Sequence, residues 1–263
     1  MRAQINGIQL AYSDEGRGTP IVFLHAFPVN RTMWAPQVEA FSARYRVITV
    51  DLRGHGESDA PLWPASMEQF ADDVNALLDH LSIPTAVIAG LSMGGYVTFA
   101  LYRKYSQRVR ALVLSNTRAQ PDTEEGRAGR FQMAQLAYTK GAMAIAEAML
   151  PKLLSSASLQ SNPALVDKVR AMITVTSLGG IAGDLMGMAE RPDSVPLLGS
   201  LACPTLVIGG EQDVATPPTD ARFMAERIPG ARLEIIPGAG HLSNLEQPAA
   251  YNRAVQSLLS SCQ

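Results

Sequence analysis

The sequence predicts an α/β fold with a mostly parallel central sheet, antiparallel strands at its N-terminal edge and helices on both faces. Short apolar segments recur along the chain, and amphipathic helical patterns lie between them. Several of these segments are apolar at successive positions instead of alternating, which is typical of parallel strands covered on both faces. The pair Asn6-Gly7, between two strand-like segments, indicates a tight hairpin at the start of the chain.

The predicted strands and helices alternate along most of the chain, with one interruption. Strands are predicted at residues 21–24, 47–50, 86–89, 111–114, 205–208 and 233–236. Helices are predicted at residues 67–81, 96–105, 220–228 and 248–259. Residues 119–195 carry helical patterns only, such as 127–140, 143–154 and 163–174. We therefore expect a core formed by residues 1–118 and 196–263, with residues 119–195 inserted as a helical cap.

The predicted cap is rich in methionine. It holds six of the eleven methionines in the chain, namely Met133, Met143, Met149, Met172, Met186 and Met188. Methionine side chains fill irregular gaps in a core, but they also form adaptable apolar walls around a ligand. We predict that part of this set lines a substrate cavity over the sheet, with Met133, Met149 and Met186 in contact with substrate.

Composition and charge narrow the classes of partner. A hydrophobic fraction of 47% in 263 residues provides a sizeable core, and a net charge of −2 favours neither nucleic acid nor anionic lipid as a partner. The N-terminus alternates polar and apolar residues, so no secretory leader or membrane span is expected. Cys203 and Cys262 lie far apart, which indicates reduced thiols and a cytoplasmic protein. The expected partner is a small molecule, and the oligomeric state is left open.

A serine between glycines follows the predicted strand 86–89. The segment GLSMG, centred on Ser92, matches the pattern G-x-S-x-G and leads into a helical segment from about Gly94. In this context the pattern predicts a sharp strand-to-helix turn that lifts the serine hydroxyl to the carboxyl edge of the sheet. Glycines are needed there because neighbouring backbone passes close to the turn. Ser92 is the predicted nucleophile.

A serine hydroxyl needs a base to become a nucleophile at neutral pH. The chain offers four histidines: His25, His55, His80 and His241. In this architecture the partners follow in the order serine, acid, histidine, and only His241 lies downstream of Ser92. His241 is therefore the predicted base.

The histidine in turn needs a carboxylate that orients its ring and stabilises the imidazolium. Asp213 lies in the loop after the predicted strand 205–208, at the same edge of the sheet as Ser92. We predict Asp213 as the acid. Glu211 in the same loop, and Asp122 in the loop after strand 111–114, remain alternatives.

Acyl transfer also needs donors for the oxyanion. The backbone amide of Met93, directly after the predicted nucleophile, is one. The second is expected in the loop after strand 21–24, where we assign the amide of Phe27. Ala26 is the alternative, because Pro28 has no amide hydrogen.

Five segments together resemble the α/β-hydrolase superfamily over nearly the whole chain: IVFLHAFP, DLRGHGES, GLSMGGY, PTLVIGGEQD and IPGAGHLSNLEQP. The phrases HAFPVNRTMW, NTRAQPD and MAERPDS are most similar to the capped carboxylesterase and 3-oxoadipate enol-lactonase branch. The resemblance implies the α/β-hydrolase fold with a cap, the triad Ser92, Asp213 and His241, and oxyanion donors at Phe27 and Met93. The chain departs from the family at Ala26, where a glycine is usual.

The expected function is hydrolysis of short-chain carboxylic esters through an acyl-enzyme, with no metal and no cofactor. Alternatives implied by the resemblance are a lactonase for a carboxylated enol-lactone, a perhydrolase or haloperoxidase, and a ligand receptor that retains the fold. Epoxide hydrolases and haloalkane dehalogenases carry an aspartate at the turn, and Ser92 argues against both.

Overall fold

The strands form one sheet in the computed structural model, which describes residues 1–60 and 64–261. Within that range eight strands lie in the order β1-β2-β4-β3-β5-β6-β7-β8. The pairings β1–β2 and β2–β4 are antiparallel, and the other five are parallel. This topology confirms the predicted fold class. The strands are β1 (Arg2–Ile5), β2 (Ile8–Glu15), β3 (Pro20–Leu24), β4 (Arg46–Val50), β5 (Ala86–Leu91), β6 (Val109–Ser115), β7 (Thr205–Gly210) and β8 (Arg232–Ile236).

Each predicted strand and helix is present, with bounds that shift by a few residues. The helices are α1 (Ala35–Phe41), α2 (Met67–His80), α3 (Met93–Tyr105), α4 (Glu124–Leu153), α5 (Ser156–Ser161), α6 (Pro163–Thr174), α7 (Leu178–Ala189), α8 (Val195–Leu198), α9 (Pro218–Arg227), α10 (Ser243–Glu246) and α11 (Pro248–Ser260). Helix α2 packs beside α3 and α1 beside α11, so that helices cover both faces of the sheet.

Helices α4 to α7 occupy the interval that carries no strand pattern. The two segments predicted at 127–140 and 143–154 form the single bent helix α4, with its break at Gly141, where φ is 79°. Helix α7 packs against the core so closely that a Cβ at Gly180 would lie 2.3 Å from the carbonyl oxygen of Gly54. The division into a core and a cap at residues 119–195 stays an interpretation of this arrangement.

Two predictions concern the cysteines and the membrane. Cys203 is half-buried just before β7, and Cys262 lies outside the described residues. Within residues 1–60 and 64–261, no helix by itself combines the length and apolar composition that a bilayer crossing needs. Only α6 and α7 together, bent by 91° at their junction, meet those criteria.

Candidate active site

The turn from β5 into α3 holds Ser92 in a strained conformation. Its φ and ψ are 56° and −113°, outside the regions that a residue with a side chain normally adopts. The Ser92 amide donates to the carbonyl of Ser115 on the neighbouring strand at 2.9 Å, which fixes the turn to β6. The side chain lies on a cavity at the carboxyl edge of the sheet. This is the predicted strand-to-helix turn.

The glycines around Ser92 are required by close backbone and side-chain approaches. A Cβ at Gly90 would lie 2.2 Å from the carbonyl oxygen of Gly94. A Cβ at Gly94 would lie 2.2 Å from the carbonyl oxygen of Leu24, and one at Gly95 would lie 2.4 Å from Thr117 Oγ1. Since Cβ atoms do not approach other atoms this closely, the turn can only be built with glycine at these three positions.

Asp213 and His241 form a buried pair beside this turn. His241 Nδ1 lies 2.8 Å from Asp213 Oδ2. The other carboxylate oxygen, Oδ1, accepts from the amides of Ala215 at 2.8 Å and Thr216 at 2.9 Å. Oδ2 also accepts from Thr216 Oγ1 at 2.6 Å and from Asn116 Nδ2 at 2.9 Å. The carboxylate therefore has five donors and one fixed orientation.

These donors decide the charge of Asp213. Burial alone would raise its pKa, but His241 and the hydrogen bonds from His241, Asn116 and Thr216 outweigh burial and lower the pKa to about 2. An ionised carboxylate can only accept, so His241 Nδ1 must donate to it. The other ring nitrogen, Nε2, is then left as an acceptor.

Ser92 and His241 lie on the same cavity. In the part of the chain that the structure describes, no hydrogen bond joins Ser92 Oγ to the imidazole ring. In unliganded hydrolases this contact is often long and tightens when substrate binds.

The two alternative acids are engaged elsewhere. Asp122 binds Arg130 through both its oxygens and Arg191 at 2.7 Å. Although burial opposes it, these two guanidinium groups lower the pKa of Asp122. Glu211 accepts from the amide of Gly238 at 2.8 Å. Among the described carboxylates, Asp213 is the one bonded to His241.

His25 and His55 are fully buried and held by other partners. His25 Nε2 accepts from the amide of Leu52 at 3.0 Å, and burial, followed by the nearby His55, keeps the pKa of His25 well below its usual range. His55 Nδ1 donates to the carbonyl of Val29 at 2.8 Å, and its Nε2 bonds to Asp184 on α7. Both rings are thus engaged by partners other than Asp213.

The His55–Asp184 contact leads to a prediction about pH and stability. Burial opposes the charge on His55, but Asp184 outweighs it and raises the pKa of His55; burial raises the pKa of Asp184. At His55 the folded protein therefore keeps a proton that the unfolded chain releases above a pH of about 6.5, the ordinary histidine pKa. The stability that this proton contributes is fully present below that pH and is lost as the pH rises through the pKa of folded His55.

We expect the Tm of the wild type to fall from about pH 7 to pH 9, above the range in which the lowered pKa of His25 has the opposite effect. The decrease of Tm with pH should be shallower in Asp184→Asn, because asparagine keeps the shape of the side chain but cannot carry its charge. Differential scanning fluorimetry of both proteins across this range measures the difference. Parallel profiles for the two proteins would contradict the assignment of a charge-linked contact between α7 and the core.

The loop after β3 determines which amide can serve as the second oxyanion donor. The amide of Ala26 donates to Met33 Sδ at 3.4 Å and is thereby occupied. Phe27, the next residue, lies on the cavity with Ser92. The amide of Met93 is the first in α3 and has no acceptor inside the helix, so it is free for a ligand at the positive end of the helix. The arrangement favours Phe27 over the alternative Ala26.

The cavity has a volume of about 500 Å³. Of the three methionines predicted to line it, Met133 and Met149 on α4 do so. Met186 is not among the described residues that line the cavity. Helix α7 contributes Leu185 and Met188 to the lining. One residue turns a helix by about 100°, so Met186 faces away from the side that Leu185 and Met188 share.

Sequence reasoning missed Asn116 and Thr216, both of which donate to Asp213. Thr216 could have been found as a hydroxyl three residues after the acid, where it can bond back to the carboxylate. Asn116 gives only the weaker signal of a polar residue directly after a buried strand. Within residues 1–60 and 64–261, no group of three or more histidine, cysteine or acidic side chains is arranged to hold a metal ion.

The fold and this site define a hydrolase of the α/β fold, and the chain belongs to the α/β-hydrolase family. The family profile described as alpha/beta hydrolase fold matches residues 19–248. The chain is 35% identical to 3-oxoadipate enol-lactonase 2 of Acinetobacter baylyi over 240 residues, which are 91% of this chain and 88% of the relative.

Two solved structures are similar over almost their whole length. A thermophilic esterase from Thermogutta terrifontis with malate bound has a TM-score of 0.97 and 42% identity, covering 100% of this chain and 99% of the other. The enol-lactonase from Burkholderia xenovorans LB400 has a TM-score of 0.93 and 34% identity, covering 99% of this chain and 100% of the other. An esterase and a lactonase are thus both similar to this chain over almost its whole length.

Proposed function

We propose that this protein is a serine hydrolase that cleaves short-chain carboxylic esters through an acyl-enzyme. The observation that carries the proposal is that the strained serine turn and the buried Asp213–His241 pair open onto one cavity. A serine, an imidazole and a carboxylate in this arrangement supply the nucleophile, the base and the group that orients the base.

In the proposed mechanism Ser92 Oγ attacks the ester carbonyl carbon while His241 Nε2 takes the hydroxyl proton. The amides of Phe27 and Met93 stabilise the oxyanion of the tetrahedral intermediate. When the intermediate collapses, His241 returns the proton to the leaving alcohol, and Ser92 is left acylated. A water molecule then gives a proton to His241 and attacks the acyl-enzyme, and the acid leaves as Ser92 recovers its proton. Asp213 stays ionised throughout and holds Nδ1–H.

The cavity wall supports an uncharged acyl chain of limited length. Met133, Met149, Leu185 and Met188 contribute apolar surface to the cavity that Ser92 lines. Thioether and isobutyl groups contact an alkyl chain without leaving polar atoms unpaired. A cavity of about 500 Å³ also has to hold the alcohol part of the ester.

We expect p-nitrophenyl esters from acetate to hexanoate to give the highest kcat/KM. The dodecanoate ester should be at least about tenfold poorer because its chain outgrows the cavity. The measurement is steady-state hydrolysis across the acyl series on one preparation. Sustained turnover would also distinguish an enzyme from a receptor with the same fold, and a preference for the longest chains would contradict the proposal.

A lactonase for a carboxylated substrate is the second candidate, and one feature of the cavity favours it. Arg118, Arg130 and Lys152 lie on the wall together with the apolar residues. Arg118 pairs with Asp220 at 3.2 Å, and Arg130 pairs with Asp122. Lys152 is exposed and has no ion pair among the described residues. A substrate carboxylate would need such a cation to offset its lost hydration.

The two candidate functions are distinguished by measuring kcat/KM for 3-oxoadipate enol-lactone and for p-nitrophenyl butyrate on the same preparation. Under the esterase proposal the lactone has no large advantage in kcat/KM. An advantage of about a hundredfold or more, within the range for one desolvated ionic contact, would establish the lactonase if Lys152→Met removes it. Lys168→Met is the matched control, since Lys168 is an exposed lysine on α6 that does not lie on the cavity.

A further inference from the structure

Asn116, the first residue after β6, is buried in a conformation that is rare for residues with side chains. Its φ is 44°, and only 1% of its surface is exposed. The backbone amide donates to the carbonyl of Ile208 on β7 at 2.8 Å, so the position is fixed to the sheet. Asparagine tolerates positive φ better than most residues, but the conformation persists only where surrounding contacts require it.

Both polar atoms of the Asn116 side chain are hydrogen-bonded. Its Nδ2 donates to Asp213 Oδ2 at 2.9 Å and to the carbonyl of Gly240 at 3.3 Å. Its Oδ1 accepts from Ser243 Oγ at 2.6 Å. The carboxylate and the carbonyl can only accept, so the orientation of the amide is determined by its partners.

These contacts join the loops of the proposed acid and base. Asp213 lies in the loop after β7, while Gly240 directly precedes His241 in the loop after β8. Thr216 also donates to Asp213, but it belongs to the same loop and cannot fix that loop to the sheet. Among the described side chains, Asn116 is the one that bonds to both loops from a third strand.

We propose that Asn116, supported by Ser243, is a positioning residue that holds Asp213 and the backbone before His241 in one relative geometry. The inference rests on the proposed function, because it concerns the same triad. Asn116 and His241 donate to the same oxygen, Oδ2, which also accepts from Thr216 Oγ1 of the acid's own loop. Among the described donors, the one from Asn116 comes from outside the two loops, so it holds Oδ2 in place relative to the backbone before His241.

The first test removes the amide without changing the backbone. Glycine accepts positive φ, so Asn116→Gly keeps the turn and loses only the side-chain contacts. We expect kcat for p-nitrophenyl butyrate to fall at least about tenfold while KM stays within about twofold, because orientation of the base affects the reaction and not ground-state binding.

The matched control is Asn6→Gly. Asn6 also has a positive φ, 43°, and its Nδ2 also donates to a carboxylate, Asp73 Oδ1, at 2.9 Å. It lies in the hairpin between β1 and β2, remote from the cavity. The control should lose less stability than Asn116→Gly, because Asn6 is exposed and makes one side-chain hydrogen bond among the described residues, and it should keep the wild-type kcat. A kcat for Asn116→Gly within about twofold of the wild type would overturn the proposal.

A second variant keeps the proposal testable if Asn116→Gly fails to fold. Ser243→Ala removes the hydroxyl that donates to Asn116 Oδ1 and leaves residue 116 and its backbone unchanged. The Asn116 amide then holds Asp213 less firmly, so kcat should fall by about threefold or more while KM stays within about twofold. The low-field proton resonance of His241 Nδ1–H should broaden or move upfield, because its hydrogen bond to Asp213 is less directed.

The resonance is recorded without substrate and therefore separates the two proposals. If the wild type turns over no ester but the resonance changes in Asn116→Gly or Ser243→Ala, the proposed function fails and the positioning role stands. If the wild type is an active esterase and the resonance is the same in the wild type and in both variants, the positioning role is overturned.

Discussion

Ser92→Ala is expected to abolish ester hydrolysis and leave the folded protein intact. Alanine fits the same turn and retains the backbone bond to Ser115, so only the hydroxyl is lost. In a comparable serine hydrolase, loss of the nucleophile lowers kcat by about a million-fold. The measurement is hydrolysis of p-nitrophenyl butyrate, with circular dichroism and Tm to show that the fold is retained.

The control for this variant is Ser260→Ala, which removes an exposed hydroxyl at the end of α11 and should retain wild-type kcat. Contaminating esterase would set a floor on the measured rate, so both proteins are purified in the same way and titrated with an active-site phosphonate. A residual rate above about a hundredth of the wild type, without contamination, would remove Ser92 from the role of nucleophile.

The sheet and the serine turn could be predicted because their causes are local. Parallel strands are covered on both faces by helices. For this reason β3, β5, β6 and β7 appear in the sequence as continuous apolar segments whose ends can be recognised. The glycines around Ser92 are required by atoms within a few ångströms, and the segment GLSMG records that requirement directly. The placing of His241 followed from chain order alone.

Other features depend on contacts that the local sequence does not record. Asn116 reaches Asp213 across 97 residues, and nothing near Asn116 indicates which loop will lie beside it. Met186 and Met188 have the same chemistry, and which of them faces the cavity depends on how α7 is rotated against the core. That rotation is set by the close approach of Gly180 to Gly54. Likewise, the backbone amide of Ala26 donates to the sulfur of Met33, which lies seven residues further along the chain.

Substitution of the proposed acid is expected to have the second large effect. Asp213→Asn should lower kcat far more than Asp122→Asn does. The carboxylate of Asp213 fixes the tautomer of His241, and loss of that charge in a related triad lowers kcat by about ten-thousand-fold. Asp122 holds Arg130 and Arg191 and makes no contact with the imidazole. Its loss leaves two cations without their partner, which reduces stability more than turnover.

The two variants are therefore expected to differ most in activity. Asp213→Asn should lose some stability, because the amide nitrogen that replaces one carboxylate oxygen cannot accept from Asn116 Nδ2 and Thr216 Oγ1, so its kcat is measured at a temperature where it is fully folded. Asp122→Asn should unfold at a lower temperature and keep kcat within about tenfold of the wild type, since the triad is untouched. Both quantities are measured on one preparation of each protein, with p-nitrophenyl butyrate as the substrate. If Asp122→Asn instead showed the greater loss of kcat at a temperature where it is fully folded, the acid would have to lie after β6, and the Asp213–His241 contact would be structural.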